Sequence, residues 1–272
     1  MLYLVATPIG NLTDITFRAV ELLKNCDYIL CEDTRHSGIL LNHYGIHQPL
    51  KSFHKFNETF RTDSVLEDLR LGKVICLISD AGTPGICDPG SALVKICVEH
   101  NIPVSAAPGP CAAIHALICS GLETERFQFY GFLGRKESEL KKDIQSILHY
   151  CGTTICYESP HRLLNTLDVI NKMQPERLLV IGRELTKKFE EIVRGKALTL
   201  IEHWQNHPLK GELVLLVSPP SSDEHQDWAS WTPEEHVESV TETYGLTRKE
   251  AIKLVAELRG VPKREIYQQL IQ

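Results

Sequence analysis

Short, mainly apolar runs alternate with amphipathic stretches over the first 120 positions of the chain. LYLVA (2–6), YILCE (28–32), KVICLI (73–78) and IPVSAA (102–107) lack the polar alternation of a half-exposed sheet, as strands covered on both faces require. Each is followed by apolar residues at helical spacing: NLTDITFRAVELLKN, the stretch after EDTRHS, SALVKICVEH and CAAIHALICSG. In the first of these, Asn11 or Thr13 is placed to cap the helix. Repeated strand-then-helix units predict a mainly parallel, buried sheet with right-handed crossovers.

A second α/β unit is predicted from FQFYGFL (127–133) onward. It continues with a helix over 137–149, strand TTICYE (153–158), a helix over 160–173, strand ERLLVIG (176–182), a pairing segment near EEIVRG (190–195), a helix over 196–204 and strand GELVLLVS (211–218). PPSSDEHQDW reads as a linker. Three short helical patterns follow, TPEEHVESVTETY, TRKEAIKLVAELRG and PKREIYQQLIQ, with Thr247 and Glu250 spaced as a capping box. The expected organisation is residues 1–120, 121–220 and 221–272: two α/β domains and a small C-terminal helical module resembling a helix-turn-helix.

Composition changes this picture little. The chain of 272 residues is 43% hydrophobic and 24% charged, with mean hydropathy −0.13. No apolar run approaches the roughly 18 residues of a membrane span, and MLYLVATPIG reads as a strand rather than a leader, so a cytoplasmic protein is expected. The nine cysteines are odd in number and form no CxxC pair, which predicts reduced thiols and neither a disulfide framework nor a metal site.

Net charge is −6, but it is unevenly spread: residues 221–242 hold seven acids and no Lys or Arg, whereas 245–265 hold six Lys/Arg against three Glu. Arg248, Lys249, Lys253, Lys263 and Arg264 form a candidate phosphate-binding face, although a solvated helix surface would look the same.

In open α/β sheets, ligands lie beyond the carboxyl ends of the strands. Three such ends carry glycine- and proline-shaped turns: ATPIGN (6–11), SDAGTPGICDPG (79–90) and APGP (107–110). No GxGxxG, GxxxxGK[ST] or GxSxG pattern occurs, so the usual phosphate loops and the hydrolase elbow are absent. What remains is a broad crevice suited to a nucleoside-like ligand, with Asp80 as a polar anchor and Asp88–Pro89 as the start of the next helix. EDTRHS (32–37) brings Glu32, Asp33, Arg35 and His36 to the same edge, where Asp33 is equally suited to cap a helix. SFHKFNE (52–58) adds His54, Asn57 and Glu58; ESPHRL (158–163) adds Glu158, His161 and Arg162; RELTKKFEE (183–191) adds Arg183, Glu184, Thr186 and Lys187.

TPIGNLTDIT, EDTRHS, SDAGTPGICDPG, PGPCAA, YESPHRL, RELTKKFEE and KGELVLLV occur in the order seen in the small-subunit ribosomal RNA branch of the tetrapyrrole-methylase-like (class III) methyltransferases, which the chain therefore resembles from residue 2 to about 218. It departs from the pattern at Lys55 and Phe56, at Gly134 where Pro is common, and at Gly182.

The resemblance implies two α/β domains of the tetrapyrrole methylase type, S-adenosylmethionine as donor held between them, a homodimer, and the ribose 2′-hydroxyl of a cytidine in small-subunit (16S) ribosomal RNA as acceptor. It places the cofactor against Thr7, Pro8, Ile9, Asp80, Ala81, Gly82, Thr83, Ala112, Ala113 and Tyr157. A weak ribose nucleophile gains from a general base. Glu32, Asp33, Arg35, His36, His54 and Glu58 are the catalytic candidates, the choice of base open, with Arg35, Arg162, Lys187 and the tail cations on the RNA. The competing readings are a class III enzyme acting on a tetrapyrrole or a protein side chain, and a non-catalytic RNA-binding assembly protein.

Overall fold

The structure, a computed structural model, describes residues 1–205, 209–220 and 231–270; most of the expected linker lies outside them. The chain divides into two compact units. The first comprises Met1–Gly121, Ile181–Ile192 and Gly211–Val214; the second comprises Leu122–Val180, Val193–Lys210 and Leu215–Gln272.

The first unit runs β1 (Leu2–Val5), α1 (Phe17–Asn25), β2 (Tyr28–Cys31), α2 (Thr34–His43), β3 (Leu50–Ser52), α3 (Glu58–Arg70), β4 (Ile75–Leu77), α4 (Ser91–Glu99), β5 (Val104–Ala107) and α5 (Ala112–Ser120). Its strands form one sheet in the order β3-β2-β4-β1-β5, and every pairing is parallel. Successive residues point to opposite faces. Leu2, Leu30, Ile75 and Leu77 pack with Val65, Leu66 and Leu69 of α3 and Leu93 and Cys97 of α4. Val5, Ile29, Cys31 and Cys76 pack on the other face with Ala19 and Leu23 of α1 and Leu41 of α2. This two-sided burial explains why the strands read as unbroken apolar runs.

Two local expectations are corrected. α1 is capped by Thr16, whose hydroxyl accepts the Ala19 N–H at 3.1 Å, while Asn11 caps a separate 3-10 turn, Leu12–Asp14. KVICLI is the fourth strand, because β3 and α3 precede it; a three-residue strand and a helix rich in charge are too weakly patterned to stand out.

The second unit contains β6 (Phe127–Phe132), α6 (Glu137–Leu148), β7 (Thr153–Glu158), α7 (Pro160–Met173) and α8 (Ala197–Gln205), and its sheet, β6-β7-β10-β8-β9, includes β8 (Leu178–Arg183), β9 (Glu191–Lys196) and β10 (Leu213–Val217). The tail forms α9 (Pro233–Tyr244), α10 (Arg248–Arg259) and α11 (Lys263–Gln269) around Val237, Val240, Ile252, Val255 and Ile266. The capping box of α10 is formed: the Glu250 carboxylate accepts the Thr247 N–H at 3.0 Å and its hydroxyl at 2.6 Å. The Tyr244 ring lies 4.7 Å from that of His149 and docks the tail against α6. All nine cysteines are free thiols, five of them buried. No helix among the described residues is long and apolar enough to cross a membrane.

Candidate active site

The strand order sets the polar motifs in a row along the carboxyl edge of the first sheet. SFHKFNE stands beside EDTRHS, EDTRHS beside SDAGT, SDAGT beside TPIG, and TPIG beside APGP. The chain leaving β1 turns to the face covered by α1, and the chain leaving the adjacent β4 turns to the opposite face covered by α4. Neighbouring loops that part in this way open a crevice beyond the strand ends.

The crevice is braced by backbone. Thr7 N–H donates to Gly82 O at 2.9 Å and Gly82 N–H returns a bond to Thr7 O at 3.0 Å. The buried Thr7 hydroxyl donates to the Ser79 carbonyl at 3.2 Å, and the Thr83 hydroxyl to the Pro110 carbonyl at 3.1 Å. Gly82 holds φ +82°, and a Cβ there would stand 3.2 Å from Ile9 Cγ2, so both conformation and space ask for glycine.

Beside this bridge lies a cavity of about 230 Å³. Pro8, Ile9, Ile78 and Ala81 give it apolar walls, with Ser79, Asp80, His36 and Ser37 as polar lining. Gly10, Lys187 and Glu212 also border it. The RELTK turn therefore belongs to this unit. Its Lys187 ammonium donates to Glu184 at 2.8 Å and to Glu212 at 3.1 Å, and Glu184 also accepts the Glu212 N–H at 3.0 Å. The turn presses so closely on TPIG that a Cβ on Gly10 would stand 2.3 Å from Lys187 Cγ. Glu184 and Thr186 take φ of 50° and 65°, a conformation that non-glycine residues hold only where surrounding contacts impose it.

Three carboxyl groups gather where β2 and β4 end. Glu32 is pushed up to about 7 by burial first and then by the neighbouring Asp88 and Asp80; Lys55 and the Asp80 backbone N–H oppose that rise. Asp88 is also raised, chiefly by burial. Asp88 does not start the following helix, as the sequence suggested: α4 begins at Ser91 with Gly90 at its cap, and Asp88 sits two residues earlier, in the cluster. Sequence reasoning passed over it although it lies in the same motif as Asp80.

The other catalytic candidates have defined partners. Asp33 caps α2, accepting the Arg35 N–H at 2.8 Å, and pairs with the Arg35 guanidinium, which with that cap holds the carboxyl well below the usual range. Asp80 accepts the Asp33 N–H at 3.3 Å. Glu58 accepts the Gly90 N–H at 3.1 Å and so ties SFHKFNE to the end of the SDAGTPGICDPG loop. The Asn57 side chain accepts the His54 N–H at 2.8 Å and lies 3.2 Å from His54 Nε2. His36 borders the cavity.

Ala113 is buried at the start of α5 and Ala112 is partly covered. In the second unit, Tyr157 packs edge-on against Phe129 and Phe132. Arg162 donates to the carbonyls of Leu133 and Gly134. Gly134 also donates its N–H to Asp143 at 2.7 Å, a bond the common Pro could not make. Arg248, Lys249, Lys253 and Arg264 are exposed on the tail helices, and Lys263 is partly covered. Among the described residues no cluster of three or more His, Cys, Asp or Glu side chains could hold a metal ion.

The sequence pattern of the tetrapyrrole (corrin/porphyrin) methylases matches residues 1–201. A ribosomal RNA small subunit methyltransferase I from Synechocystis sp. is 45% identical over 98% of this chain and 96% of its own length. One from Halalkalibacterium halodurans is 46% identical over 98% of this chain and 93% of its own. The crystal structure of uroporphyrin-III C-methyltransferase from Thermus thermophilus with S-adenosylhomocysteine superposes with a TM-score of 0.55 at 16% identity, over 80% of this chain and 96% of that one. With matches of this extent, the chain belongs to the tetrapyrrole methylase family, in its ribosomal RNA small subunit methyltransferase I branch.

Proposed function

We infer that the chain transfers a methyl group from S-adenosylmethionine to the 2′-hydroxyl of a cytidine ribose in small-subunit (16S) ribosomal RNA. The carrying observation is the pairing, on one sheet edge, of a backbone-braced crevice with a raised carboxyl group beside it. When bound, S-adenosylmethionine supplies a methyl group on a sulfonium sulfur, an electrophile needing no further activation. The residues present fit such a ligand: Pro8, Ile9 and Ala81 give apolar walls, Asp80 is an exposed acceptor for a hydroxyl or amine, and Gly82 lets backbone approach where a Cβ would fill the space. Thr7 and Thr83 hold these loops in place, and Ala112 and Ala113 complete the proposed set from this unit.

Glu32 is the general base of this reading. Ionised, it takes the proton of the attacking 2′-hydroxyl, and its value near 7 matches it to that task at neutral pH. Asp88 and Asp80 raise its proton affinity; Lys55 limits the rise. Asp33 positions Arg35, whose side chain is 90% exposed, toward a substrate phosphate. His36, His54 and Glu58 shape the acceptor side. Arg248, Lys249, Lys253, Lys263 and Arg264 hold RNA backbone, which adds affinity without choosing sequence. Lys187 is paired with two carboxylates, and Arg162 with two carbonyls; both serve as braces in this account. A homodimer and a cytoplasmic location rest on the same family resemblance.

The test is Glu32→Gln assayed on small ribosomal subunits. Methyl transfer should fall by roughly 10²–10⁴-fold, while S-adenosylmethionine binding by calorimetry stays within about twofold. Undiminished transfer would remove Glu32 from the mechanism.

A further inference from the structure

Phe56 and Phe60 are 97% and 94% exposed. Leaving such rings in water forgoes the stabilisation of burying them, and the segment that carries them is not loose. Phe53 beside them is fully buried, and its N–H donates to the Cys31 carbonyl at 2.7 Å. Asn57 caps the turn through His54 N–H and reaches back to the Ser52 carbonyl at 3.3 Å. Glu58 pins the far side to Gly90. The fold thus holds two phenyl rings outward on a fixed scaffold.

Their setting selects the partner. The residues between and beside the rings are Lys55, Asn57, Glu58, Thr59 and Arg61, so no continuous apolar patch forms. Two isolated rings cover about 300–500 Å², less than the roughly 800 Å² per partner of a stable protein interface. Aromatic rings interleaved with cations are instead what stacks the bases of an unpaired nucleic-acid strand. The segment also adjoins the reaction edge: the His54 ring lies 6.0 Å from that of Phe56, and Lys55 bears on Glu32 and Asp88.

We propose that Phe56 and Phe60 form a stacking platform for unpaired RNA bases flanking the nucleotide whose ribose is presented to Glu32. The proposal rests on the RNA-methylating reading above and adds specificity-determining residues to it.

The experiment uses the full chain in two arms. In the first, methyl transfer to small subunits is measured for F56A/F60A, F56L/F60L and F56W/F60W. The Ala and Leu variants should raise KM for the subunit about tenfold or more with kcat within about twofold, and the Trp variant should stay within about threefold of wild type. In the second, anisotropy of a labelled single-stranded oligoribonucleotide should show the same ranking of Kd. An unchanged KM and Kd in the Ala variant, or full recovery by Leu, overturns stacking. A fall in particle mass by light scattering in the Ala variant assigns the rings to contact between copies and also overturns it. Failure of wild-type transfer would strike the catalytic reading alone, since the anisotropy arm still decides the rings.

Discussion

Gly10→Ala isolates the contact on which the cavity wall depends. The added Cβ would stand 2.3 Å from Lys187 Cγ and 2.9 Å from Thr186 Oγ1. Carbon atoms meet comfortably near 3.5 Å, so Lys187 must withdraw by about 1.2 Å. Cγ lies mid-chain, and the ammonium is fixed by Glu184 and Glu212, so the side chain has no free swing. A withdrawal of that size stretches the Glu184 pair to the limit of direct contact and the Glu212 pair past it. Overpacking costs roughly 1–3 kcal/mol. Each pair, 28% exposed on the lysine side, adds at most about 1 kcal/mol once solvent screening is allowed for. A loss of about 1–5 kcal/mol in urea unfolding is expected. The diagnostic is the double variant: K187A removes the nearest obstructing atoms and leaves Thr186 Oγ1, so G10A should cost less in the K187A background than in the wild type. Additive losses, or a G10A variant within about 0.5 kcal/mol of wild type, would refute the close approach.

Three further outcomes follow from the same geometry. Because Glu32 must be ionised to accept a proton and is raised to about 7, methyl transfer should climb with pH below about 7 and level above it; D88N, which removes a neighbouring like charge, should move that midpoint downward. The tail should be acid-labile: burial, then Arg259 and His149, lower His236 to about 4. The unfolded chain therefore binds more protons between roughly pH 4 and 6.5, and stability falls as pH drops through that window; Trp231 fluorescence, its ring 6.1 Å from that of His236, should report it, and H236Q should flatten the slope. Thr247→Ala should cost about 1 kcal/mol through the lost cap, read by urea unfolding of the tail helices.

The sequence reveals the first sheet because both its faces are buried, which writes each strand as an unbroken apolar run. β3 and α3 are hidden for the opposite reason: a short edge strand and a helix with four buried positions among thirteen carry little periodicity. Asp80 is legible from its place after a strand, but Asp88 is not, because local grammar favours a helix start and only the fold turns it toward Glu32. Likewise no local pattern tells that RELTK folds against Gly10, a contact spanning nearly 180 residues. The exposure of Phe56 and Phe60 is invisible to sequence, since an aromatic residue beside a helix start ordinarily reads as core.

Nucleoside mass spectrometry reads the transferred methyl group at the atom that receives it. Small subunits from cells lacking the enzyme would be incubated with the purified chain and S-adenosylmethionine bearing a deuterated methyl group, then digested to nucleosides. One labelled product is expected, 2′-O-methylcytidine, formed by the wild-type chain and lost with Glu32→Gln. Label on a base, on another ribose, or on ribosomal protein would contradict it.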